Sequence, residues 1–245
     1  MIYYFKVYGI KFENMLETLQ ELDKELFLNL NSIHSPYWDT FMSIYTGKLI
    51  WIPMYASILY VLWRNFNWRT VILTTIAFAL VITLADQTCS SILRPLFERP
   101  RPSHNQEIAD IVHLINGRRG GMYGFPSCHA SNTFALTFFI LWFFRNKALS
   151  VFFILWAVIT CYSRIYVGVH YPGDLLFGTV VGITAGSIVY LLYRFALHCT
   201  RVREFVRNER DCYLIEHPGG IKYTLTIIYT GLITIFAFGI YALFV

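Results

Sequence analysis

The chain has 245 residues, of which 56% are hydrophobic and 14% charged. Soluble domains carry about 25% charged residues, so the composition sets aside a soluble enzyme and points to an integral membrane protein. A net charge of +5 is too modest for a nucleic-acid partner, and five scattered cysteines without a C-x-x-C pair argue against a disulfide framework or a zinc site.

In chain order, "ENMLETLQELDKELFLNLN" comes first, with Leu16, Leu19, Leu22, Leu26 and Leu30 at three- and four-residue steps. That spacing predicts an amphipathic helix. Its polar face is acidic, which disfavours electrostatic attachment to anionic lipid. Two placements stay open, in the interface or docked on the bundle, and an ordinary packed helix is the favoured reading.

Six apolar segments long enough to span a bilayer follow, near 41–63, 70–90, 127–144, 148–167, 174–197 and 223–244. Trp51 and Trp63 bracket the first as interfacial aromatics do. No internal repeat or low-complexity tract is present. The expected fold is therefore all-α: one polytopic membrane helix bundle over 1–245, with an amphipathic segment (1–40) ahead of a transmembrane bundle (41–245).

Within the second span lie Asp86 and Gln87. An unpaired carboxylate there is expensive, so Asp86 is expected to meet an arginine or a hydroxyl, preferably orienting an arginine of a site; a helix–helix hydrogen bond is the plainer alternative.

The connection after that span, "LRPLFERPRPS", sets Arg94, Arg99 and Arg101 among Pro95, Pro100 and Pro102. Prolines remove backbone donors, so a rigid, non-helical strap is expected. Guanidinium groups held together repel unless an anion separates them, and phosphate accepts their paired donors. Positive charge at a membrane flank is the competing reading, and it suffices for Arg99, Arg118 and Arg119.

The third span opens with "GFPSCHASNTF". Ser127 reads as an N-cap, and a helix N-terminus offers free amides to a phosphate, with His129 in the first turn. Between the fourth and fifth spans stands "SRIYVGVHYPGD". There Asp174 can hold one nitrogen of His170 and leave the other outward, the arrangement of an orienter and its base. Counting spans puts all three clusters on one side of the membrane.

Together these clusters resemble the type 2 phosphatidic acid phosphatase (PAP2) family, related to vanadium-dependent haloperoxidases. The family pattern is K-x6-R-P, P-S-G-H and S-R-x5-H-x3-D. Here it reads Arg94-x6-Arg101-Pro102, Pro126-Ser127-Cys128-His129 and Ser163-Arg164-x5-His170-x3-Asp174. Arg94 stands in place of the usual Lys and Cys128 in place of the usual Gly, which bears on substrate preference more than on the reaction.

The resemblance implies a mechanism without metal or cofactor. His170 attacks phosphorus and forms a phosphohistidine, with Asp174 setting its tautomer. His129 protonates the leaving oxygen and then activates water. Arg94, Arg101, Arg164, Ser127 and the Cys128 backbone hold the phosphoryl oxygens.

The implied partner is a membrane lipid phosphate, monoester or diphosphate. An undecaprenyl diphosphate-like carrier and a lipid A phosphate lead, ahead of phosphatidylglycerol phosphate and phosphatidic acid. Transfer between lipids instead of to water stays open, as does the oligomeric state. A transporter or channel fits less well, because the polar residues gather at one face. Setting aside Arg94, Arg101 and Arg164, ten Lys and Arg lie opposite the motifs and seven beside them. The positive-inside rule then places the motifs outside a bacterial plasma membrane.

Overall fold

In the computed structural model, which describes residues 2–206 and 209–244, four helices are long and apolar enough to cross a membrane. They are Trp68–Phe97, Lys147–Tyr166, Pro172–His198 and Thr224–Tyr241. Among the described residues there is no strand, only an isolated bridge between Pro100 and Tyr123. The helices in chain order are α1 (Ile2–Asn31), α2 (Pro36–Tyr45), α3 (Ile52–Asn65), α4 (Trp68–Gln87), α5 (Arg94–Phe97), α6 (Cys128–Phe144), α7 (Lys147–Tyr166), α8 (Pro172–His198), α9 (Thr200–Val206), α10 (Glu209–Glu216) and α11 (Thr224–Tyr241).

The first expected span is broken. α2 ends at Tyr45, and a single 3₁₀ turn over Leu49–Trp51 separates it from α3. Thr46, Gly47 and Lys48 lie between, and Pro53 opens α3, where a missing N–H is harmless. Trp51 is correspondingly no interfacial anchor: it is buried at 3% exposure and donates its indole N–H to Tyr45 O at 3.0 Å. Trp63 does face outward.

The apolar stripe of α1 is not its docking face. Leu16, Leu19, Leu22 and Leu26 are exposed. The helix docks instead through Asp23, Phe27 and Asn31, one residue per turn on a neighbouring ridge. Asn31 wins that contest because it satisfies backbone groups: Nδ2 donates to Ile165 O and Tyr166 O, each at 3.0 Å, and Oδ1 accepts from His113 N at 2.8 Å. The first two are carbonyls at the open end of α7.

α6 is the hub. It packs on α4, α7 and α8, and Phe139, Ile140, Phe143 and Phe144 are almost fully buried along it. Between hydrocarbon-embedded helices there is no gain from leaving water, so association rests on close packing. Gly178, Gly182 and Gly186 supply it from α8. A Cβ at any of the three would overlap the carbonyl oxygen of Ser127, Ser131 or Ala135 on the α6 side.

The two ends of the bundle are tied differently. At one, Asn65 Oδ1 accepts from Lys222 N at 2.8 Å, and Asp211 Oδ2 accepts from Asn67 N and Thr70 Oγ1 at 2.9 and 2.7 Å. Arg207 of this basic end lies outside the described residues. At the other, α1, the 98–127 connection and the α7–α8 turn converge.

Replacing Gly182 by Leu should therefore force α6 and α8 apart. We expect a loss of about 1–3 kcal/mol, the usual penalty for overpacking, read as a lower detergent unfolding midpoint. Gly219→Leu, where a Cβ meets nothing within 4 Å, should leave the midpoint unchanged.

Candidate functional site

Arg94 is helical, not part of an extended strap. α4 passes through a π-helical turn, Thr88–Leu93, directly into α5, and the chain leaves the helix only at Glu98, where φ is 44°. A widened turn gives the Pro95 ring the room an α-helix denies it. The strap proper, from residue 98, pairs with the segment ahead of α6: Arg101 N donates to Met122 O at 3.0 Å and Gly124 N to Arg99 O at 2.9 Å. Gly124 must be glycine for this fit. A Cβ there would stand 2.9 Å from Arg101 Cγ and 3.1 Å from Asp174 Oδ2.

Ser127 caps α6, its Oγ accepting from Ala130 N at 3.5 Å, and its own N–H donates to Asp174 O at 3.0 Å. That bond sets the start of α6 against the start of α8. The first-turn amides of Cys128 and His129 have no partner within the helix, as at any helix N-terminus.

His170 is 1% exposed between two opposite contacts. Its Nδ1 lies 3.3 Å from Asp174 Oδ2 and its Nε2 lies 3.2 Å from Arg101 Nη1. A guanidinium only donates, so Nε2 is the acceptor and Nδ1 carries the proton given to Asp174. Burial, then the charges of Arg101, Arg164 and Arg94, hold the imidazole well below its ordinary pKa. Arg101 is itself lowered by burial and by Arg94.

The arginines find few acids. Arg94 Nη2 donates to Cys128 Sγ at 3.0 Å and Pro126 O at 3.3 Å; Arg101 donates to Tyr123 O and Val169 O, each at 3.2 Å. Arg164 donates to Thr46 Oγ1 at 2.6 Å. Among the described residues, Arg94 Nε and Arg164 Nε are buried without a partner. Backbone carbonyls and a thiol satisfy hydrogen bonds without cancelling charge, so the cluster is left positive.

These groups form the polar end of a cavity of about 700 Å³. Arg94, Arg101, Cys128, His129 and His170 line it together with Lys48, while Tyr55, Ile58, Leu59, Phe78, Ile82 and Leu136 wall its apolar depth. Ser127, Arg164 and Asp174, also expected at the site from sequence, stand behind the lining.

Three residues escaped the sequence reading. Lys48 belongs to the break in the first span, which the apolar pattern conceals. Arg99, read as flanking charge, donates to Asp174 Oδ1 at 2.9 Å, and Asp23 of α1 takes its other arm at 2.7 Å. Asp86 resolves differently from the favoured expectation. Its partner is the amide of Asn132 at 2.9 Å, a helix–helix hydrogen bond between α4 and α6.

Comparison with known proteins agrees with this geometry. A family model described as the PAP2 superfamily matches residues 68–197. A lipid A 4'-phosphatase of Bacteroides thetaiotaomicron is 48% identical over 230 residues, covering 94% of this chain and 99% of that protein. A lipid A 4'-phosphatase of Porphyromonas gingivalis is 36% identical, covering 74% of this chain and 77% of its own length. Among solved structures, that of Aquifex aeolicus LpxE aligns with a TM-score of 0.53 at 26% identity, covering 67% of this chain and 92% of that one. The chain belongs to the PAP2 superfamily.

The depressed basicity of His170 has a direct readout. A group whose protonated form is disfavoured stays neutral as pH falls through its usual value. In ¹⁵N imidazole spectra of the solubilised protein, His170 should be neutral and protonated at Nδ1 at pH 6.5, where free histidine side chains are about half charged. A doubly protonated ring at that pH would overturn the assignment.

Proposed function

We propose that this PAP2-type lipid phosphatase removes a phosphate monoester from a lipid A-like glycolipid, at the outer face of a bacterial plasma membrane. The observation that carries the reading is the two-ended cavity, positive around His170 and apolar between α3, α4 and α6. A phosphorylated headgroup suits the first end and an acyl chain the second. The 48% identity to a lipid A 4'-phosphatase over almost its full length favours lipid A over a prenyl diphosphate.

In this reading the phosphate settles among Arg94, Arg101, Arg164 and the first-turn amides of α6. Phosphate oxygens are stronger acceptors than an imidazole, so the anion draws Arg101 off Nε2 and frees the lone pair. Nε2 forms the P–N bond as the P–O bond to the sugar breaks. The negative charge of the bound phosphate favours a proton on His129, which delivers it to the departing oxygen, so the lipid leaves as an alcohol. His129 then takes a proton from water, whose oxygen attacks the phosphohistidine and releases inorganic phosphate. Asp174 holds the Nδ1 proton throughout and offsets the charge that develops on the ring.

Phosphate release should be compared across lipid A, undecaprenyl diphosphate, phosphatidylglycerol phosphate and phosphatidic acid in matched detergent. The expected order puts lipid A first, with His170→Ala inactive on all four and His129→Ala slower by about 10²–10⁴-fold. Orthovanadate should inhibit and chelators should not. A water-soluble phosphate ester cleaved with higher kcat/KM than every lipid would overturn the lipid reading.

Orientation has its own test. In a cysteine-free background, Gln106→Cys on the motif side should react with an impermeant maleimide in intact cells. His217→Cys at the basic end should react only after permeabilisation. The reverse pattern would put the site in the cytoplasm.

A further inference from the structure

Arg99 lies off the phosphate site. It lines an outer groove of about 400 Å³ with Glu21, Lys24 and Glu98, not the cavity that holds His129 and His170. Its guanidinium stacks over the Tyr171 ring, 4.2 Å from the centroid. One arm reaches Asp174 Oδ1, on the side of the carboxylate away from His170, and the other reaches Asp23 Oδ2. Asp23 Oδ1 in turn accepts from Gly173 N at 2.7 Å, in the first turn of α8. A Cβ at Gly173 would stand 2.7 Å from Asp23 Oδ2, so α1 bears directly on the turn that carries Asp174.

We propose that Asp23 and Arg99 are positioning residues for phosphoryl transfer, a chain Asp23–Arg99–Asp174–His170 through which helix α1 fixes the charge and rotamer of the carboxylate behind the nucleophile. The inference rests on His170 being that nucleophile. The physical need is specific. Asp174 is 0% exposed, and a buried carboxylate without a cation beside it takes up a proton. Protonated, it no longer favours the Nδ1–H tautomer, and Nε2 loses its lone pair to the proton.

Four titratable groups face Asp174, and a fifth stands behind one of them. Arg99 and Arg101 come from the strap, His170 and Tyr171 from the α7–α8 turn, and Asp23 of α1 reaches Asp174 only through Arg99. Arg101 is committed to the phosphate during turnover, so Arg99 is the cation left to hold Asp174 ionised. Asp23 keeps Arg99 from swinging toward solvent by fixing its second arm. It cannot substitute for Arg99 electrostatically, because it is itself an anion.

Those opposite charges give the two substitutions different signatures. Arg99→Met should lower kcat by about 10–100-fold, the scale on which outer hydrogen-bond partners act, with KM little changed. The acid limb of its kcat/KM profile should rise by about 1–3 pH units, the effect of losing a cation next to a carboxylate. Arg99→Lys should bring the limb back to its wild-type position while kcat stays reduced, because one ammonium cannot serve both acids. Asp23→Asn should lower kcat without raising the limb, since it removes an anion.

The experiment measures kcat, KM and pH profiles for the full-length variants, with ¹⁵N imidazole spectra of each saturated with inorganic phosphate, which draws Arg101 off Nε2. Arg99→Met should lose the single Nδ1–H form of His170. Wild-type kcat and an unmoved limb in Arg99→Met would overturn the proposal, and wild-type kcat in Asp23→Asn would remove α1 from it. If Arg99→Met does not fold, Arg99→Lys and Asp23→Asn decide, and unchanged kcat in both overturns it. A wild-type protein inactive on every lipid phosphate would instead sink the proposed function, and the spectra with inorganic phosphate would still decide the chain.

Discussion

Positive charge that the protein does not neutralise is the constraint on which this structure turns. Arg94, Arg101 and Arg164 surround His170, and their hydrogen bonds go to carbonyls, a hydroxyl, a thiol and the imidazole itself. Placing a charge near hydrocarbon costs about 2.5–3.5 kcal/mol on insertion scales, so an arrangement selected for stability alone would pair each arginine with an acid. Two carboxylates come near the cluster: Arg99 already claims half of Asp174, and Asp86, on the cavity wall, accepts from Asn132. The remaining deficit of negative charge matches a phosphate dianion. It also adds to the burial that keeps His170 neutral, because the same positive field repels a proton.

Holding such a cluster together requires rigid neighbours, and these come from packing rather than from charge. The close approach of α6 and α8 through Gly178, Gly182 and Gly186 continues to the Ser127 N–H bond on Asp174 O. The first-turn amides of α6 and the carboxylate that contacts His170 thus belong to one packed helix pair. Gly124 extends the same logic to the strap, whose Arg101 passes where any side chain on residue 124 would lie. Removing a methyl group's worth of space at these points would move donors by more than a hydrogen bond tolerates.

Much of this was legible in local sequence. The Ser127 cap, the four-residue step from His170 to Asp174 and the convergence of three motifs follow from short-range geometry and from counting spans. What was not legible depends on partners far along the chain. Arg99 and Asp23 are 76 residues apart, and no periodicity announces that an acidic residue on an amphipathic helix will grip a distant strap. Composition also misled at two places. The 41–63 run reads as one largely apolar span, yet the helix stops at Tyr45 and resumes at Ile52, with Lys48 in the gap, and the leucine stripe of α1 suggested a docking face that a polar ridge supplies. Arg94 was placed in a strap because prolines usually end helices, and the π turn before Pro95 is the local adjustment that let this one continue.

The same physics says where selectivity between lipids must arise. A lipid tail moving from the bilayer into an apolar cavity exchanges one hydrocarbon environment for another, so its CH₂ groups bring almost none of the 0.8 kcal/mol each would gain on leaving water. Tail contacts along Ile58, Phe78 and Leu136 can orient a substrate but add little affinity. A lipid's phosphate is different: it exchanges the hydrated membrane surface for a pocket of guanidinium groups and helix amides, where each interaction is stronger in the lower dielectric. On the proposed reading, discrimination is therefore concentrated at the polar end, among Arg94, Cys128, Lys48 and the groups that hold His170. Two of these, Arg94 and Cys128, are where this chain departs from the usual family pattern.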